Sequence, residues 1–391
     1  MPDSPAARIT PPTFISHAAL QAVLLALPEA RIVGGAVRDT LAGRPVNDVD
    51  LATPRDPDAV TAALAAAGLR ALPTGLLHGT VTALSGGVPF EITTLRRDHD
   101  TDGRHARVEW TGDWRDDAAR RDFTFNAMSM APDGSLWDYF GGRADLAAGI
   151  VRFVGDPAAR IAEDYLRIPR FFRFHARYGH GVPDPAALAA IRAGVSGLSR
   201  LSPERVWSEL KRILSTPDPR GAVALMAALG VLEALIPGAD PAGLLQLPAD
   251  APADPLLRLV ALRPDAGALA GPMRMSVQER DGLLALAGPA PLNTMDDGAL
   301  RRMLADTPAP VLAGRAWLAG GGPVIGRLQA IERPVLPIEG RDVVAEGVAP
   351  GPAVGVHVRA VREWWLRGGC AAGREACLGQ LRHHLVVQRG G

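Results

Sequence analysis

Residues 34–53 read GGAVRDTLAGRPVNDVDLAT: a glycine pair at the start of a helix-compatible segment and, about a dozen residues on, two aspartates spaced two apart. VNDVDLAT has the composition of a strand, where residues i and i+2 point to the same face, so Asp48 and Asp50 are expected to present two carboxylates side by side. Such a pair repels itself unless a cation lies between the two groups. Hard oxygen ligands shared with nucleotide phosphates are what Mg²⁺ prefers. Gly34 and Gly35 follow the apolar ARIV and precede AVRDTLAG, which places bare backbone N–H groups at a helix N-terminus, a cradle for a triphosphate. Arg38, one turn in, adds a charged fork. A lone Asp-x-Asp is most often a solvated strand end or a helix cap; the glycines and Arg38 favour the cation reading here. A dinucleotide-binding turn is set aside, because the third glycine is absent and no parallel βαβ series follows.

The chain has 391 residues, 47% of them hydrophobic, enough for two or three domains. No apolar run reaches the ~18 residues that span a bilayer. The first residues lack the basic flank and apolar stretch of a signal peptide, so a cytoplasmic setting is expected. Cys370 and Cys377 fit neither a redox pair nor a zinc quartet. Charge balances at 42 against 42, which excludes a generally polybasic coat. Between 152 and 212, however, eleven Arg or Lys face six Asp or Glu, so a neutral protein has a basic middle suited to an RNA backbone.

Short β-rich runs (ARIVGG, DVDLAT, GTVTAL, PFEITTL) and one helical segment, DAVTAALAAAG, fill residues 30–130. From about 146 onward helical patterns take over. Pro/Gly clusters near 216–221, 237–255 and 334–352 mark the expected joints. The polar segment 96–105 reads as a long hairpin loop.

Two further clusters carry chemistry. In RRDFTFNA, Asp122 beside Arg120 and Arg121 can accept a ribose 2′-hydroxyl while the arginines hold phosphate; the alternative is an exposed salt-bridge cluster. In EDYLR, Asp164 and Arg167 are i and i+3 on an expected helix, hence neighbours on one face, and an ordinary ion pair is the alternative. Glu91, in FEITT, is a candidate third acid near the aspartate pair or a buried strand residue.

Together with HGTVTA, FEITTLRRDHDTDGRHARVEWTGDW, RRDFTFNAMSM, DYFGGRADLAAGIVRFVGDPAARIAEDYLRI and RFFRFHARYG, the opening block resembles the class II tRNA nucleotidyltransferases, the group of CCA-adding enzymes and bacterial poly(A) polymerases. The match is dense over 31–212 and returns at 340–355 in GRDVVAEGVAPGPAVG. The resemblance implies an α+β protein: an N-terminal, polymerase-β-like nucleotidyltransferase head with a mixed sheet (1–145), then an all-helical neck with template helix (146–217) and a helical body and tail that bind tRNA (218–391). It assigns Asp48 and Asp50 to catalytic Mg²⁺, and Gly34, Gly35, Arg38 and Arg121 to the triphosphate. Asp122 goes to the ribose, Arg170 to the nucleotide, and Asp164 and Arg167 read the base edge of CTP or ATP. The implied activity is template-independent CCA addition to tRNA. Segment 96–105 corresponds to the loop needed for the terminal A.

The sequence departs from the family pattern at Pro169, which removes a hydrogen bond to the Tyr165 carbonyl and is expected to bend the helix, placing the geometry of Arg170 and Arg173 in question. His78 and His105 have no ligand spacing, and the few histidines after residue 180 argue against an appended metal phosphohydrolase domain. Rival readings are a poly(A) polymerase or a CC- or A-adding enzyme, a small-molecule nucleotidyltransferase, and an inactive tRNA-binding protein.

Overall fold

The computed structural model describes residues 4–75, 79–99 and 107–389. The first half is a mixed eight-stranded sheet with order β1-β10-β9-β2-β3-β6-β5-β4. Its strands are β1 (Ala7–Arg8), β2 (Arg31–Val33), β3 (Asp50–Thr53), β4 (Arg70–Gly75), β5 (Thr80–Ser85), β6 (Val88–Thr94), β9 (Ser129–Met130) and β10 (Ser135–Trp137). All neighbours are antiparallel except β3 and β6, which run parallel with Leu51 beside Ile92. Strands β7 (Arg96–His99) and β8 (Arg107–Trp110) form a separate two-stranded hairpin, the root of the expected loop; residues 100–106 fall outside the described residues, as does His78. The β-rich runs and the DAVTAALAAAG helix are found where the sequence places them. The short strands β1, β9 and β10, two or three residues each, carry too little pattern to have been read.

Helices α1 (Ala18–Ala26), α2 (Gly35–Leu41), α3 (Pro57–Ala66), α4 (Trp114–Ala119) and α5 (Gly142–Ala148) pack with this sheet, and α6 (Pro157–Glu163), α7 (Arg167–Tyr178), α8 (Pro185–Gly194) and α9 (Pro203–Leu214) follow. One local device recurs: an aspartate caps the helix and a proline occupies its first turn. Asp56 accepts from Ala59 N at 2.8 Å, Asp156 from Ala159 N at 2.8 Å, Asp184 from Ala187 N at 3.1 Å and Asp254 from Leu257 N at 2.8 Å. The carboxylate satisfies an orphan N–H, and proline fixes φ where no N–H is needed.

The chain divides into two compact units, Met1–Pro237 and Gly238–Gly391. Among the described residues the second contains helices and no strand, ending in Pro352–Arg367 and Arg374–Arg389 around a core that includes Val361, Trp365, Cys377 and Leu381. Both cysteines are free and buried.

In the first unit an aromatic cluster joins the sheet side to α7. Phe123 lies 4.9 Å from Phe153 and 5.3 Å from Phe174 between ring centroids, and Phe125 lies 6.0 Å from Tyr178. Phe123, Phe125, Phe153 and Phe171 are fully buried. Truncating Phe171 to Ala is expected to cost about 3–5 kcal/mol, the usual range for a buried aromatic. Denaturant unfolding of the intact chain, followed by far-UV circular dichroism, measures it.

Candidate active site

The turn between β2 and α2 brings the first group together. Gly34 caps α2 with φ +65° and ψ −120°, a backbone state that L side chains rarely adopt, and its own N–H donates to Met128 O at 3.4 Å. A Cβ on Gly34 would lie 3.1 Å from Arg121 Nη1, so the glycine makes room for that guanidinium. Gly35 and the next residues begin the helix with N–H groups that have no intrahelical acceptor.

Antiparallel pairing sets Val33 opposite Asp50, so the glycine turn and the acidic strand end meet. The strand expected over VNDVDLAT begins only at Asp50; Asp48 precedes it, because pairing with β2 runs no further than Val33. Glu91 supplies the partner that strand spacing had assigned to Asp48. It stands one residue before Ile92 on β6, as Asp50 stands one before Leu51 on β3, level in the parallel register. The Asp50 side chain reaches solvent. Its carboxyl is pushed above the usual range by burial first, then by Glu91 and, more weakly, by Asp48, with Arg121 opposing. Among the described residues no three His, Cys, Asp or Glu side chains converge closely enough to hold a metal ion alone.

Arg38 is buried, ion-paired to Asp39 at 3.1 Å and bonded to Asn126 Oδ1 at 2.7 Å, and its guanidinium lies 5.0 Å from the Phe174 ring and 4.8 Å from Tyr178. Two arginines lie against the glycine turn: Arg38, whose Nη2 would be 3.6 Å from a Cβ on Gly35, and Arg121. Arg121 donates to Asp117 Oδ2 at 3.1 Å and to the Asn126 carbonyl at 3.4 Å. Asp117, on α4, also takes Arg120 at 2.7 Å and the Arg96 backbone N–H at 3.4 Å. Burial pushes the Asp117 carboxyl up, but Arg121 and Arg120 outweigh it and hold it below the ordinary range. The sequence reading missed Asp117, although its place three and four residues before Arg120 and Arg121 is a helical pairing signal.

Asp122 is buried with all four acceptor positions filled: Oδ1 by Phe123 N at 2.9 Å and Asn126 Nδ2 at 2.9 Å, Oδ2 by Arg170 Nε at 2.8 Å and by the Nη2 of the same guanidinium. Burial raises its carboxyl, yet Arg170 and the hydrogen bonds bring it below the ordinary range. Arg170 also faces Glu209 at 3.9 Å, and buried Glu209 takes Arg173 at 3.0 Å and Arg212 at 3.4 Å. Burial, countered only in part by Glu209, lowers Arg173 to about 10.

The helix expected through EDYLR is broken. Helix α6 stops at Glu163, Asp164 is extended (φ −152°, ψ +106°), and α7 starts at Arg167. Asp164 and Arg167 share a tight turn, Arg167 N–H bonding Asp164 O at 3.0 Å, rather than one helical face. Within the break Tyr165 packs onto Gly197, where a Cβ would come within 1.8 Å of its ring. Asp164 Oδ1 caps Leu166 N at 3.0 Å and Oδ2 takes Arg205 at 2.8 Å; Arg167 binds Glu163 at 2.6 Å and the Arg160 carbonyl at 2.7 Å.

Because α7 begins at Arg167, Pro169 occupies its first turn and does not bend it. The Tyr165 carbonyl already receives Ile168 N–H at 3.1 Å, and Arg170 N–H reaches Leu166 O at 3.1 Å. The expected kink is absent for this reason.

The chain matches the poly A polymerase head domain over residues 30–152 and the probable RNA- and SrmB-binding site of polymerase A over 183–242. It is 35% identical over 386 residues to the mitochondrial CCA tRNA nucleotidyltransferase 1 of Mus musculus, covering 90% of this chain and 86% of that one. The chain belongs to the class II tRNA nucleotidyltransferases, and is most like the CCA-adding enzymes. The Danio rerio counterpart is 47% identical over 208 residues, where the match spans about half of each protein, 52% and 48%. Among solved structures, the Bacillus stearothermophilus CCA-adding enzyme in complex with CTP superposes on this nucleotidyltransferase with a TM-score of 0.75 at 25% identity, covering 95% of this chain and 99% of that one.

Pro169→Ala in this nucleotidyltransferase is expected to lower stability by only about 0.4–1 kcal/mol, through the unfolded chain, and to leave the choice among four triphosphates unchanged. Thermal denaturation and competition assays check both. Asp122→Asn breaks a buried pair and is expected to cost roughly 3–5 kcal/mol at neutral pH. With the folded-state pKa of Asp122 depressed, its contribution is complete above the unfolded value of about 3.9 and is lost as pH falls through the folded one. The wild-type minus variant difference should therefore shrink below about pH 4 in denaturant titrations.

Proposed function

We propose that this enzyme completes the tRNA 3′ end by adding C, C and A from CTP and ATP, with Mg²⁺ held by Asp48 and Asp50 and assisted by Glu91. The observation that carries the reading is the convergence of Asp50, Glu91 and Arg121 on the Gly34 turn. The donor set fits a hard divalent cation: it is all carboxylate oxygen, and Asp50 bears repulsion that a cation relieves. When bound, such a cation acidifies the attacking 3′-hydroxyl and neutralises phosphate charge.

The chain's own residues do the positioning. The Gly35 turn offers N–H groups to the triphosphate, and Arg121 over Gly34 and Arg38 beside Gly35 offer charged forks, Arg38 being held by Asn126. A ribose 2′-hydroxyl reaching Asp122 would replace one of its bonds from Arg170, coupling ribose recognition to that arginine. Asp164 offers a carboxylate to an exocyclic amine and Arg167 offers donors to ring acceptors, a pattern that cytosine and adenine satisfy and that leaves guanine and uracil with unpaired groups. Each reader gives up its present partner, Arg205 or Glu163, to do so. Head, neck, body and tail over 1–145, 146–217 and 218–391 belong to this reading, with the helical parts on tRNA. So does a cytoplasmic setting; among the described residues no helix is long and apolar enough to cross a membrane.

Product-length gels test it. With CTP, ATP and Mg²⁺, tRNA ending at the discriminator base should gain three residues and tRNA ending in CC one; a ladder with ATP alone identifies a poly(A) polymerase. Asp48→Asn and Asp50→Asn should each lower turnover by roughly a thousandfold or more with the fold intact, and Glu91→Gln by less. Substantial residual turnover in Asp50→Asn would refute the assignment.

A further inference from the structure

Arg121 is the charge on which the candidate site depends, and its direction is set from outside. Its guanidinium is held at two points, Asp117 Oδ2 at 3.1 Å and the Asn126 carbonyl at 3.4 Å, while Nη1 rests against Gly34. Arg121 is also the one cation among the groups that chiefly act on Asp50; Glu91 and Asp48 are the others. Gly34 follows Val33, which pairs with Asp50, so a guanidinium over Gly34 has an obvious alternative place, paired with that carboxylate. There it would compete with any added cation.

We propose that Asp117 is a positioning residue that tethers Arg121 over Gly34 and keeps it from collapsing onto the acidic group of Asp50, Glu91 and Asp48. Buried and within bonding distance of two guanidinium groups, Asp117 is the stronger partner because its charge is shielded from water. The same carboxylate accepts the Arg96 N–H at the start of β7, and the adjacent Asp116 pairs with Arg97. The root of the β7–β8 hairpin and the phosphate-facing arginine therefore share one anion, and a displacement of either is felt by the other.

The inference rests on the cation-binding reading of the acidic group, and its test separates the two. The probe is Mn²⁺ alone, titrated into the full-length protein without nucleotide and followed by loss of the free-ion EPR signal. Wild type should bind Mn²⁺, and Asp50→Asn should abolish that binding; if wild type binds none, the cation reading fails and takes this inference with it. In Asp117→Asn, the freed Arg121 should weaken Mn²⁺ binding roughly ten- to a hundredfold, the usual effect of removing an outer-shell partner. In an Arg121→Gln background, where nothing is left to tether, Asp117→Asn should change affinity by less than about twofold on the same reasoning. Wild-type Mn²⁺ affinity in folded D117N, or an equal loss in both backgrounds, overturns the proposal. Arg121→Lys covers the case in which D117N does not fold. Lysine keeps the charge but cannot bridge Asp117 and the Asn126 carbonyl, so R121K should bind Mn²⁺ several-fold more weakly than wild type. Unchanged affinity there also overturns it.

Discussion

The site depends on one backbone constraint, the antiparallel pairing that sets Val33 opposite Asp50. Val33 ends the strand just before Gly34, and Asp50 begins the strand that carries the acidic group. Joining them fixes the distance between a helix start that attracts anions and a strand end that attracts cations. The parallel neighbour β6 then adds Glu91 at the same level. Opposite charge preferences thus meet across one pair of strands.

Around this centre the charges are sorted rather than scattered. Arg160, Arg167, Arg173 and Arg205 each pair with a carboxylate from the same region, and Arg170 pairs with Asp122. Much of the basic surplus between 152 and 212 is thereby spent on orienting side chains. The exposed positions that remain to follow a phosphate backbone include Arg177, Arg192 and Arg200. Buried Glu209, facing three arginines, lies at the centre of this arrangement.

Much of the fold was legible because its signals are local. The β-rich runs GTVTAL and PFEITTL form neighbouring strands, and each Asp-Pro start announces its own helix. What sequence spacing could not show was decided by distant contacts. At the break by Asp164, Tyr165 meets Gly197, more than thirty residues away. Once α7 begins at Arg167, Pro169 ceases to be a helix breaker. The late start of β3 follows from where β2 ends. The surroundings of Arg38, one turn into α2, come from Asn126, Phe174 and Tyr178, which later parts of the chain supply. Asp117 shows the converse, a helical pairing within plain reach of the sequence whose meaning appears only when Arg121 is seen against Gly34.

The aromatic cluster bears on how such a protein can be divided. Phe123 and Phe125 belong to the head segment, whereas Phe153, Phe171, Phe174 and Tyr178 come after the end of the matched head region at residue 152. Sequence kinship draws its boundary through the middle of a packed core. A recombination event at that boundary would hand each parent's rings to a foreign partner surface. The smallest unit of exchange is set by the interlocking of six rings, not by the edge of the recognised domain.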